Sequence, residues 1–327
     1  MLAGGAVVIA SLAAVAAARS AGVLLVALVA FFPASGAFVG LTQAALMDAA
    51  PGRQQQRMAA WNLAGSAGAV GGPLLLAGVL AVGGGWRFAY LMLAAAAGVA
   101  LAVAVLGAPS RLAPPAVAAA EDDAEDAGDR RPSAREALRA LRRGDVARWV
   151  VLLEITDLLL DVLTGYLGVY LVDVAGASPA EAAIGVAVRL GSCLVGDALF
   201  VVASKRVSGP AALRDSAVAA CVLYPSFLLA GWVPAKLAIL AVLSITTACW
   251  YPVVQAGLYG SLPGRSGIAV FLGSAAALVG AAGPLAVGFI AQQAGLTWAL
   301  AVLGAAPAAV LMAVPRTARR RSRKVYR

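Results

Sequence analysis

QAALMDAAPGR at residues 43–53 returns as QAGLYGSLPGR at residues 255–265, 212 residues further along the chain. Six of the eleven positions are identical, and the shared Gln, Pro and Arg are scarce in a chain dominated by Ala, Gly, Leu and Val. Two further echoes keep the order: Gly72-Pro73 recurs as Gly283-Pro284 and Trp86 as Trp298. Three ordered matches, two at an offset of 212 and the Gly-Pro pair at 211, identify a duplicated unit, and a duplication of this length governs the whole fold.

The composition defines the solvent in which these units fold. Mean hydropathy is +0.89, with 62% hydrophobic and 13% charged residues. Such values lie outside the soluble range. Ten uninterrupted apolar runs are long enough to be membrane-spanning helices, at 2–18, 21–47, 58–83, 87–107, 148–172, 181–203, 212–232, 236–261, 267–291 and 296–314. They are continuously apolar instead of alternating with period two, which favours helices over a barrel. The expected class is therefore all-α, a polytopic membrane protein. Residues 1–18 lack the basic start of a secretion signal and read as a true span.

The net charge of +9 does not point to nucleic acid. If both termini are cytoplasmic, 21 of the 25 Lys and Arg lie in cytoplasmic segments, Arg19, Arg87 and Lys236 lie outside, and Arg189 lies within a span. That asymmetry is a topology signal, and the basic side chains are expected to meet anionic lipid headgroups. Histidine is absent, which removes imidazole-based nucleophilic and metal chemistry. No phosphate-cradling GxxxxGK[ST] loop is present. Cys193, Cys221 and Cys249 fall within spans without metal or redox spacing. No enzyme and no cofactor is expected.

Residues 108–147 divide the spans into four and six. The acidic cluster EDDAEDAGD at 121–129 reads as disordered. SAREALRALRR at 133–143 carries Ser133 and Glu136 at capping-box spacing and reads as a short basic amphipathic helix on the membrane surface. The expected division is residues 1–107 as a four-helix half, 108–147 as a linker, 148–314 as a six-helix half and 315–327 as a basic tail. At an offset of 212, the first four spans pair with the last four. The counterparts of the fifth and sixth would precede Met1, so two N-terminal helices of the ancestral design are expected to be missing.

Two local patterns carry a family resemblance. Gly68-Ala69-Val70-Gly71-Gly72-Pro73 resembles the GxxxGP antiporter motif of the major facilitator superfamily, and Gly84-Gly85-Trp86-Arg87-Phe88 resembles the GWRxxF that opens that family's sixth helix. The paired six-helix halves joined by a basic loop resemble the same family. Gly196-Asp197 with Lys205-Arg206 stands where the second acidic-basic loop motif would be, and Phe32 stands where the fourth helix usually has an arginine. The resemblance implies a two-half bundle with a truncated N-terminal half and a cavity lined here by the spans at 21–47, 148–172 and 236–261.

The span at 148–172 holds Glu154, Asp157 and Asp161. Steps of three and four place all three on one helical face. Ionised groups in hydrocarbon are expensive, so this face is expected to border protein or a watery cavity. Arg189 and Asp197 on the next span lie at matching depths, with Arg189 paired to Asp161 or Asp157 and Asp197 nearer Glu154. These five are the candidates for proton coupling, the alternative being a buried ion-pair network that fixes packing. Ser35, Asn62, Trp250 and Tyr251 are candidates for a substrate cavity, the two aromatics by stacking. Gln43, Gly68, Gly72, Pro73, Gln255, Gly283 and Pro284 are candidates for gating or close helix packing.

The sequence thus predicts a secondary transporter of a small organic solute, exporting it in exchange for protons by alternating access. It is expected as a monomer, multi-pass in a bacterial inner membrane with both termini cytoplasmic. The alternatives are a truncated inactive relative or membrane scaffold, and a ten-helix transporter built on inverted repeats. Both PGR loops fall on the same side, which disfavours the inverted arrangement.

Overall fold

The structure, a computed structural model, describes residues 2–49, 52–107 and 134–315. Fourteen helices are assigned there: α1 (Leu2–Ala17), α2 (Ala21–Asp48), α3 (Gln54–Ala81), α4 (Trp86–Gly107), α5 (Ala134–Leu141), α6 (Gly144–Asp173) and α7 (Pro179–Ala203). They continue as α8 (Gly209–Leu229), α9 (Val233–Thr247), α10 (Trp250–Ser261), α11 (Ser266–Gly280), α12 (Ala282–Ala294), α13 (Leu296–Leu303) and α14 (Ala305–Ala313). Strands are absent among the described residues. The all-α, polytopic expectation holds. Eight helical segments are long and apolar enough to cross a membrane, counting α9–α10, α11–α12 and α13–α14 as one each. The other two expected spans differ for separate reasons: α1 is short, with 16 residues, and α6 has 30 residues but carries the three carboxylates. The acidic cluster, Ser133 and the basic tail lie outside the described residues.

The duplication is written into the helix boundaries. α1 ends at Ala17 and α8 at Leu229; α2 begins at Ala21 and α9 at Val233; α3 begins at Gln54 and α11 at Ser266. Each pair keeps the offset of the sequence echo. The PGR element recurs because its glycine must be left-handed: φ is +81° at Gly52 and +68° at Gly264, a region in which a side chain is strained. Gly83 and Gly295 form a second left-handed pair at the same spacing, with φ of +79° and +91°. The copies differ at their centres. α3 runs unbroken through Pro73, whereas the equivalent stretch ends α11 at Gly280 and restarts as α12 ahead of Pro284. α6 and α7 have no counterpart at this offset within the chain.

The described residues form two compact units, and the division falls inside α3. In the first unit (1–49 and 71–133), α1 packs against α2 and α4. Gly5 permits this, since a Cβ there would lie 3.2 Å from both Leu101 and Phe38. The Arg87 guanidinium donates to the Ala18 carbonyl at 3.0 Å, just beyond the end of α1, and lies over the Trp86 ring. The GWR pattern is therefore a helix-end clamp in this unit.

The second unit (50–70 and 134–327) is built around α6, which touches α5, α7 and all of α10 to α14. Glycines set the close approaches. A Cβ on Gly257 of α10 would come 2.6 Å from the Trp149 ring of α6, and one on Gly196 of α7 would come 2.8 Å from the Ile245 backbone of α9. Close backbone approach is how helices gain contact where lipid is as apolar as a leucine side chain. The expected basic helix at 133–143 is α5, with Ala137 and Ala140 buried and Leu138 exposed. Lys236, the first residue of the expected span at 236–261, is buried in the first turn of α9. Its ammonium donates to the Tyr170 hydroxyl and to the Phe227 and Leu228 carbonyls, each at 2.9 Å. It caps the last turn of α8, where free carbonyls collect.

Gly257→Ala should therefore destabilise the protein by roughly 1–3 kcal/mol through overpacking against Trp149. Gly260→Ala, three residues along the same helix with open space around it, should be neutral or stabilising by about 0.5–1 kcal/mol. Thermal unfolding of the purified protein in detergent checks the opposite signs.

Candidate functional site

Five helices of the second unit, α3, α6, α7, α9 (through Thr247) and α10, deliver polar groups to one cavity of about 350 Å³. α6 supplies Asp157, Asp161 and Thr164; α7 supplies Arg189, Cys193 and Asp197; and the N-terminal part of α3 supplies Asn62 and Ser66. Tyr251, in the first turn of α10, closes the list of polar aromatics at this site. Each of these residues sits on an otherwise apolar helix, so the helices turn their few polar positions inward and their aliphatic ones out. Leu199 and Val202 of α7, for example, are among its exposed side chains.

Arg189 is 2% exposed. Its guanidinium donates to Ser244 Oγ at 3.0 Å, to Thr164 Oγ1 at 3.4 Å and to the Leu160 carbonyl at 3.4 Å. All three acceptors are neutral. Among the described residues Arg189 makes no ion pair within 4.0 Å, so the expected pairing with Asp161 or Asp157 is not formed. Neither aspartate makes a hydrogen bond or an ion pair there. Both α6 acceptors are close to Asp161 in the chain: Thr164 stands three residues on, and the Leu160 carbonyl belongs to the preceding residue.

Asp197 is also 2% exposed. One carboxylate oxygen accepts from Asn62 Nδ2 at 2.8 Å, and the other accepts a short hydrogen bond from the Ser66 hydroxyl. Both donors are neutral and come from α3. Gln55 extends the same α3 face, accepting from the Gly209 amide at 2.8 Å and donating to the Val207 carbonyl at 3.0 Å. Gln55, Asn62 and Ser66 are spaced by seven and four, so one helical stripe reaches α7 and the α7–α8 turn. Ser66 is not among the residues singled out from the sequence; its four-residue spacing from Asn62 is the signal that points to it.

Glu154 borders a second cavity of about 170 Å³, together with Asp157 and Asp161 and with Gly280, Ala281 and Pro284 at the α11–α12 break. Asp157 and Asp161 thus border both cavities. Gly283 fits against Leu158 of α6, and the Tyr166 hydroxyl donates to the Pro284 carbonyl at 3.5 Å. The glycine-proline element of this copy is a seat for α6.

The comparisons with known proteins agree on the fold. The Major Facilitator Superfamily family model matches residues 1–213. The chain belongs to the Major Facilitator Superfamily. Similar solved structures are the transporter FucP in the outward conformation, with 17% identity and a TM-score of 0.65 over 95% of this chain and 82% of that one, and the human organic anion transporter MFSD10 (TETRAN), with 19% identity and a TM-score of 0.75 over 96% and 76%. No curated protein matches. The chain is accordingly a multi-pass membrane transporter of this superfamily.

The remaining candidates of this superfamily member fall elsewhere. Trp250 is fully buried, with its indole N–H donating to Ser216 Oγ at 2.9 Å, and does not border the cavity. It packs α10 on α8 because a buried indole needs an acceptor. Ser35 belongs to the first unit, where its hydroxyl donates to the Phe32 carbonyl at 3.0 Å. Gln43 and Gln255 are both buried, at equivalent places in the two copies. A Cβ at Gly68 would meet no atom within 4 Å, and the same holds for Gly72 within its unit, so neither mediates a close approach there. Pro73 stays inside a continuous α3.

Removing the Ser66 hydroxyl should cost about 0.6–1.7 kcal/mol, the range of polar side-chain pairs inside membrane proteins. In a double-mutant cycle, the effect of Ser66→Ala on thermal stability should largely vanish in an Asp197→Ala background. Full additivity would mean that the contact carries no energy.

Proposed function

We propose that the chain is a secondary transporter that exports a small organic solute across a bacterial inner membrane in exchange for protons. The observation that carries this reading is the placement of Asp157 and Asp161 between two cavities. A carboxylate that borders both spaces can exchange a proton with one while responding to a solute in the other. The charged and titratable neighbours of this pair are Glu154 on α6, Arg189, Cys193 and Asp197 on α7, and Tyr251 on α10; the adjoining α11 and α12 positions Ala277, Gly280, Ala281 and Pro284 carry no charge. With Arg189 hydrogen-bonded to neutral oxygens, the two aspartates make no ion pair within 4.0 Å among the described residues, and a proton is the smallest group that can neutralise them inside hydrocarbon. The α11–α12 break at the edge of the second cavity supplies a place where a helix can bend during alternating access. Cytoplasmic termini follow from the basic residues of the loops and tail.

In proteoliposomes, an imposed pH gradient should drive solute flux, and Asp161→Asn and Asp157→Asn should each abolish the pH dependence. Glu154→Gln, which touches only the second cavity, should slow proton-driven flux while leaving solute binding in place. Gradient-independent flux in the unaltered protein would rule out proton coupling.

A further inference from the structure

We propose that the solute is a small zwitterion, with its anionic end on Arg189 and its cationic end on the Asp157–Asp161 pair. The inference rests on the transporter reading and deepens it. Its basis is that fixed charges of both signs line one cavity without pairing to one another.

Arg189 commits three of its five N–H donors to Ser244, Thr164 and the Leu160 carbonyl. Among the described residues no carboxylate lies within 4.0 Å of it, although it is almost wholly buried. Asp197, the acid on its own helix, is already satisfied by Asn62 and Ser66. Among the described residues Asp157 and Asp161 likewise make no ion pair within 4.0 Å. A structural ion-pair network would close these charges on each other, because an unpaired buried charge is costly. They instead remain separate around an open volume.

Ligand charge follows by elimination. A simple cation would meet the aspartates but would leave Arg189 uncompensated and repel it. A simple anion would meet Arg189 and be repelled by three carboxylates, Asp157, Asp161 and Asp197. A molecule carrying one group of each sign answers both walls; Asp197 stays held by Asn62 and Ser66, and one of Asp157 and Asp161 is left over, free to hold the proton. The cavity volume lies at the low end for small-molecule sites, which suits a solute of amino-acid size. Leu160 and Leu190 offer the apolar contact such a solute would also need.

Cys193 lines the same cavity and gives a direct reporter. In purified protein carrying Cys221→Ala, with Cys249 buried, modification of Cys193 by the neutral reagent methyl methanethiosulfonate is timed in the presence of millimolar probes. The probes are leucine, phenylalanine and γ-aminobutyrate, each beside its methyl ester (cation only) and its deaminated acid (anion only). At least one zwitterion should slow modification more than either of its singly charged partners. Arg189→Gln and Asp161→Asn should each raise the half-protecting concentration about tenfold or more, and Arg189→Lys should recover part of the loss. A single monodisperse elution peak confirms that each variant is folded, and Arg189→Lys carries the test if Arg189→Gln fails this check. Equal or better protection by the esters or the acids, or zwitterion protection that ignores the Arg189 substitutions, overturns the proposal. Protection reads binding and not flux, so the two readings fail separately. Zwitterion protection without pH-driven flux would remove proton-coupled transport and keep the site. Proton-driven flux of a cation that ignores Arg189 would keep transport and remove the site.

Discussion

Three carboxylates on one face of α6 must be kept out of hydrocarbon, and the second unit is organised by that requirement. α6 is the helix with the most neighbours, touching α5, α7 and α10 to α14. The arrangement is costly to disturb because each ionised group exposed to lipid would cost several kcal/mol. Two cavities border this face, so the acids keep a polar environment without being paired off. The close helix approaches at Gly257, Gly196 and Gly283 serve the same end, since they let surrounding helices reach α6 and α7 without displacing the charged positions.

A second constraint is the economy of buried polar contacts. Lys236, Arg189 and Asp197 are all at most 5% exposed, yet none forms an ion pair among the described residues. Lys236 is satisfied by two carbonyls and a phenol, Arg189 by two hydroxyls and a carbonyl, and Asp197 by an amide and a hydroxyl. Neutral partners meet the hydrogen-bonding demand of a charge without cancelling it. Lys236 is thereby fixed as a helix cap, whereas Arg189 keeps its field at the wall of a cavity.

Much of the fold was legible because membrane helices leave strong signals. The duplication could be read from QAxL…PGR, and the structure gives its physical cause at Gly52 and Gly264, where only a left-handed residue makes the turn. The acidic face of α6 followed from helical spacing alone. The candidate site was legible in part: Asp157, Asp161, Arg189, Asp197, Asn62 and Tyr251 do line one cavity. Trp250 did not, because a helical position cannot reveal whether its side chain turns toward a neighbour such as Ser216 or toward a space. Thr164, Ser244 and Ser66 were passed over because hydroxyls in apolar helices usually bond their own backbone, as Ser244 also does with the Leu240 carbonyl.

The sequence by itself determined what depends on neighbours along the chain and on the solvent: the helices, their turns, the repeat and the membrane setting. Hydrophobic length and backbone conformation are local quantities, so they survive without knowledge of the packing. Pairing is not local. Only the tertiary structure decided that Arg189 would bond Thr164, Ser244 and a carbonyl in place of an aspartate, that Asp197 would be held by Asn62 and Ser66, and that Lys236 would be buried. Each outcome turns on which of several side chains at similar depth arrives within about 3 Å. That selection is made by helix rotation and close glycine contacts, which no spacing along the chain encodes.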